Sequence, residues 1–121
     1  MYEVHLTRKA IIPKLLEELK LPLKTEKVRA ILRDFEKYLK EQRVIVDRLS
    51  ENFIQAVVIG SSAYYVSVDF ARRDFYCSCP HNRFRKALCK RVLIVLELYA
   101  YLTKRYEEVS EFLKDNERKI I

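Results

Sequence analysis

Three cysteines and a histidine fall within one short stretch, Cys77-Ser78-Cys79-Pro80-His81 followed by Cys89-Lys90-Arg91. Two cysteines at i and i+2 of an extended segment project to the same face, close enough for their sulfurs to share one metal ion. Pro80 ends the strand. The chain returns ten residues after Cys79 with Cys89 in the first turn of an apolar helix, where the helix dipole favours a thiolate. Three thiolates from a strand end and a helix start are the makings of a zinc corner. His81 continues the i, i+2, i+4 series and is the candidate fourth ligand. Water in the fourth position and a metal-free site are the alternatives. In the metal-free case Cys89 is a small buried hydrophobe, and the other thiols are free or disulfide-linked. A catalytic zinc would need a neighbouring base, and no Glu or second His accompanies the cluster. His5 is expected at the surface.

Charge gathers around the same residues. Segment 71–91 carries Arg72, Arg73, Arg83, Arg85, Lys86, Lys90 and Arg91 against the single acid Asp74, a net +6. The whole chain is only +7, while 44–70 is net −2 and the part after Arg91 is net −1. A basic cluster at a helix start beside a metal knuckle is the electrostatic footprint of phosphate binding, which gives affinity without sequence specificity. Phe75, Tyr76 and Phe84 interleave with it as bases' stacking partners. The bland counterpart is that these arginines neutralise thiolates or are simply solvated.

The elements that must position these residues follow from hydrophobic periodicity. The first third reads as helical. Ile11, Ile12, Leu15, Leu16 and Leu19 form one apolar face with Pro13 in the first turn, and Leu21-Pro22-Leu23 is a break. Thr25 is the candidate N-cap of a second helix striped by Val28, Ile31, Leu32, Phe35 and Leu39. From Val44 the period changes to two. Turn signals at Ser50-Glu51-Asn52, Gly60-Ser61-Ser62 and Ala71-Arg72-Arg73-Asp74 divide a meander of three or four antiparallel strands that ends at Cys79. Ala87 to Leu102 is apolar almost all round, the pattern of a helix buried on several sides, and Tyr106, Val109, Phe112 and Leu113 mark a last amphipathic helix. The expected class is α+β: an N-terminal helical part (1–43), a meander plus long buried helix (44–103) and a C-terminal helix (104–121), in one compact domain.

The order strand, strand, Cys-x-Cys-Pro, basic loop, then Cys-Lys-x opening an apolar helix resembles the SWIM-type zinc finger, over roughly Phe53 to Tyr101. That family's pattern is Cys-x-Cys, a variable gap, then Cys-x-His on a β-β-α frame. Cys77, Cys79 and Cys89 match its first three ligand positions. Arg91 stands where the fourth ligand, a histidine, would be, and arginine does not ligate zinc. The resemblance implies a zinc-holding module used in DNA binding and protein–protein contact. It also implies, from small stand-alone members, a RecA-family partner in DNA recombination and repair.

Composition bounds the rest. The 121 residues are 50% hydrophobic and 34% charged, with one Gly and three Pro, which excludes collagen-like and low-complexity chains and suffices for a core without staples. Abundant Lys, Glu and Arg with no Trp lean towards a thermophile. No run approaches a membrane span and no secretory h-region is seen, so a cytoplasmic protein without membrane partners is expected. The chain offers no Gly-rich phosphate loop, Ser/His/Asp set or H-E-x-x-H, and the expectation is a binding protein rather than an enzyme. Two other readings stand beside the nucleic-acid-associated zinc module. One is a metal-free interaction subunit, a homo-oligomer built on the apolar helices. The other is a redox-active thiol at Cys89.

Overall fold

A computed structural model describes residues 2–4, 10–18, 30, 33, 35–80, 88–116 and 119. Its elements in chain order are β1 (Tyr2–Val4), α1 (Ile12–Glu18), α2 (Phe35–Glu41), β2 (Arg43–Ser50), β3 (Phe53–Ile59), β4 (Ala63–Asp69), β5 (Asp74–Cys77), α3 (Lys90–Thr103) and α4 (Tyr106–Asp115). The fold is α+β, as the periodicities require.

The strands form one antiparallel sheet in the order β1-β2-β3-β4-β5. Strict alternation in β3 and β4 sends Ile54, Ala56, Val58, Val66 and Val68 to one face, where all are buried. Val44 and Val46 pair with Val58 and Ala56 and share that face. A bulge at Asp47 then shifts the register, so that Arg48 rather than Asp47 stands opposite Gln55. One sided burial of this kind calls for a helical cover, which α3 supplies. Residues Val92 to Ala100 are all buried, and α3 packs on β3, β4 and β5 while α1 and α4 pack on α3. Phe70 stacks on Tyr99 at 4.0 Å between ring centroids and meets Phe112 at 5.4 Å, tying the β4–β5 turn to both helices. The Tyr99 hydroxyl donates to the Glu51 carbonyl at the β2–β3 turn.

Two boundaries differ from the sequence expectation. A fifth strand, β1, precedes the helices and pairs with β2 through Tyr2–Val46, Glu3–Ile45 and Val4–Val44. The first third is therefore not wholly helical. Three residues carry too little alternation to announce a strand, and the extended form comes from a ladder partner some forty positions away. The long helix starts at Lys90 rather than Ala87, because Cys89 is extended (φ −78°, ψ 170°) at the N-cap. It ends at Lys104, which closes it in the left-handed conformation (φ 59°) with its N–H on the Ala100 carbonyl. Leu19, the Leu21-Pro22-Leu23 break, Thr25, Val28, Ile31, Leu32 and His5 lie outside the described residues.

The one charged side chain within the buried run of α3 is Glu97, which is fully buried. Its Oε1 accepts the backbone N–H groups of Ile11 at 2.8 Å and Ile12 at 3.0 Å. These are donors at the start of α1, which no earlier turn can satisfy, and the acceptor oxygen sits at the positive end of that helix. Replacing Glu97 by Ala leaves both N–H groups without this acceptor and opens a cavity, so a loss of about 3 kcal/mol in urea unfolding is expected. Glu97→Gln keeps an acceptor oxygen and is expected to lose only about 1 kcal/mol. Equal losses would show that hydrogen bonding to α1 is not what the side chain provides.

Candidate metal centre

Alternation along β5 puts Phe75 and Cys77 on the core face and Asp74 and Tyr76 outside. Beyond Cys77 the chain stays pinned to β4. Ser78 N–H donates to the Tyr65 carbonyl at 3.0 Å, and the Ser78 hydroxyl accepts the Tyr65 N–H at 2.9 Å. This extra step holds the i, i+2 geometry for one more residue, so Cys79 enters the interior beside Cys77. Cys89 arrives from the other direction, held by Leu88 N–H on the Lys119 carbonyl (2.6 Å). Its own carbonyl accepts Leu93 N–H at 3.1 Å, the first hydrogen bond of α3.

The three sulfurs meet. Cys79 and Cys89 Sγ are 3.5 Å apart, and all three Sγ atoms lie within 4.8 Å of one another. All three residues are buried, and none is in a disulfide. Zinc–thiolate bonds of about 2.3 Å in a tetrahedron place sulfurs roughly 3.8 Å apart, so the observed triangle is of the size a metal ion of this kind needs. Cys77, Cys79 and Cys89 therefore lie close enough to bind a metal ion.

The thiols are not equivalent. Cys89 is held down to about 5, first by the hydrogen bond from the Cys77 thiol, against the opposing effect of burial. The N–H groups of Val92 and Arg91 at the opening of α3 and the Cys79 thiol add to it. Cys77 is pushed up by that same bond to Cys89, together with burial and the nearby negative charge. Three clustered cysteine sulfurs, one of them at a helix start, are a donor set suited to a soft or borderline metal.

No protein-family model, curated protein or solved structure matches this chain. The likeness to the SWIM pattern rests on these residues alone.

The remaining site candidates are placed as follows. The Arg91 guanidinium lies over the Tyr64 ring at 4.2 Å, and the Lys90 ammonium over Tyr38 at 4.1 Å. Neither tyrosine was foreseeable as a partner, since the contacts join positions 27 and 52 residues apart. Arg72 is exposed on the β4–β5 turn, where its N–H donates to Asp69 Oδ1 at 3.1 Å. Arg73 takes a left-handed backbone conformation (φ 54°) and turns inward to α4, with Nη2 2.9 Å from Glu111 and Nη1 3.0 Å from Asp115. Its guanidinium is raised above the usual value, chiefly by the Glu111 hydrogen bond. His81, Arg83, Phe84, Arg85 and Lys86 lie outside the described residues.

The four described basic residues thus do not make one patch. Arg72 and Arg73 stand at one end of β5 and Lys90 and Arg91 near the other, separated by a strand of roughly 13 Å. The aromatic expectation divides as well. Phe75 is buried, edge-on to Phe112 at 6.1 Å, so it is a core residue and not a stacking surface, whereas Tyr76 is 54% exposed. Arg73→Ala is expected to lower unfolding stability by about 1 kcal/mol, as two partly exposed ion pairs are lost, while leaving nucleic-acid affinity unchanged. A loss of affinity with unchanged stability would return Arg73 to the binding surface.

Proposed function

We propose that the chain is a zinc-holding binding module of the SWIM-like kind, with Cys77, Cys79 and Cys89 as thiolate ligands and His81 as the fourth. The observation that carries this reading is the buried triangle of three sulfurs, contributed by the end of β5 and the start of α3. Buried thiols clustered at this spacing, away from a disulfide, match the donor type and geometry of structural zinc sites. Zinc bound there would supply a cross-link between the sheet edge and the central helix, across the segment 80–88. The Arg91 stacking on Tyr64 supports a ligand drawn from elsewhere than the usual helix position, and His81 is the donor that the sequence offers nearest the cysteines.

The partner in this reading is an anionic polymer, DNA first, met by the basic residues near the knuckle: Arg83, Arg85 and Lys86 from the segment between the cysteines, with Lys90 and Arg91 at the start of α3. Association with a RecA-family protein in recombination or repair is what the SWIM resemblance adds. The supports for DNA are the net charge of +7 and its concentration in 71–91.

Elemental analysis of the purified chain is expected to find about one zinc per protein, lost in Cys89→Ser together with thermal stability. His81→Ala is expected to weaken zinc binding without abolishing it, since three thiolates remain. A well-folded wild type that takes up no zinc would leave the metal-free interaction subunit in its place. In fluorescence anisotropy with duplex DNA, affinity is expected to fall steeply with salt. The double variant Arg83→Ala/Arg85→Ala should flatten that log–log slope by about 0.9 per phosphate contact removed. Binding that ignores salt, or is absent at low salt, would remove nucleic acid as the partner.

A further inference from the structure

The outer face of the sheet, opposite α3, carries a group of apolar and aromatic residues among its polar ones. Such faces normally alternate to polar residues. Here the register aligns Ile45, Val57 and Tyr65 in one cross-strand row, with Ile59 in the next and Tyr76 diagonal to Tyr65. Ile45, Val57 and Ile59 are half-buried, while Tyr65 is 59% and Tyr76 54% exposed. A contiguous patch of this kind marks an interaction site.

Charge indicates what covers it. Towards the β2–β3 turn the β2 side of the face carries Arg48, and the β4–β5 side carries Asp69 and Asp74, which stand opposite each other. Asp69 accepts the Arg72 N–H at 3.1 Å, and the largely exposed Arg72 guanidinium lies 3.9 Å from its other oxygen. Glu3 and Asp47 lie on the same outer face, the former bonded to Arg43 and the latter accepting from Gln55. Four carboxylates around the patch weigh against a polyanion. A two-fold axis running along β3 resolves the pattern. It lays β2 of one copy over β4 of the other, so that Ile45 meets Tyr65, Val57 meets Val57 and Ile59 meets Ile59. It also brings Arg48 towards Asp69 and Asp74 of the second copy.

We infer that this face is the interface of a two-fold homodimer, formed by sheet-on-sheet packing. The described strands offer a flat footprint of roughly 450 Å² per copy, from spacings of about 4.8 and 3.3 Å. Two copies bury on the order of 1,000 Å², at the lower bound for a specific interface, which fits a dimer that dissociates on dilution. The inference is independent of the metal reading, because the cysteines open onto the opposite, core face of the sheet.

Sedimentation velocity of the full chain from about 1 to 300 µM tests it. The expected result is a rise from the 14.5 kDa chain mass to twice that value. Tyr65→Glu, at an exposed position, should raise the dissociation constant at least about tenfold with an unchanged circular dichroism spectrum. Arg48→Glu should weaken the dimer, and adding Asp74→Arg should restore it, a rescue that general misfolding would not produce. A wild type that stays monomeric throughout overturns the proposal. So does a dimer indifferent to Tyr65→Glu, or a monomer whose Tyr65 and Tyr76 fluorescence is quenched by single-stranded oligonucleotide.

Discussion

The carboxylate of Glu97 sits where nothing but protein surrounds it, in the middle of a helix whose nine residues from Val92 to Ala100 are all buried. A polar side chain in such a place needs hydrogen-bond partners, and two donors to it come from the start of α1. That requirement brings the N-terminal segment across the top of α3. It also explains why α1, only seven residues long, is held at all, since a helix this short is marginal on its own. The sheet, α4 and the aromatic group Phe70, Tyr99 and Phe112 then close around the same helix.

The cysteine site is the second consequence of burying α3. Its first turn must begin against the end of β5, and the two approaches bring together thiols from positions ten and twelve apart in sequence. Burial alone would keep these groups protonated. The N–H groups at the opening of α3 and the neighbouring thiols work the other way for Cys89. Strand end and helix start thus bring three sulfurs close enough to bind a metal ion, and a cross-link here would fasten the edge of the sheet to the helix that organises everything else.

Charge is apportioned by fold rather than by sequence. Seven basic residues crowd one stretch of chain, yet the structure gives Arg73 to the acids of α4 and sets Lys90 and Arg91 over tyrosines of α2 and β4. The outer sheet face carries Glu3, Asp47, Asp69 and Asp74 beside Arg43 and Arg48.

Much of this was legible in the residues themselves. Period-two alternation in β3 and β4, the unbroken apolar run of α3 and the spacing of Val109, Phe112 and Leu113 each record a local rule, because a side chain's face is set by its neighbours within a turn or a strand. The i, i+2 pair Cys77 and Cys79, with Cys89 at a helix start, was legible for the same reason. What required the tertiary structure was every contact between distant positions. These are the pairing that makes Tyr2 to Val4 a strand, the use of Glu97 as a cap for α1, the burial of Phe75 beside an exposed Tyr76, and the inward turn of Arg73. Composition and periodicity say which way a side chain points on its own element. Only packing decides which other element is waiting there, since that depends on chain closure over tens of residues and not on local conformational preference.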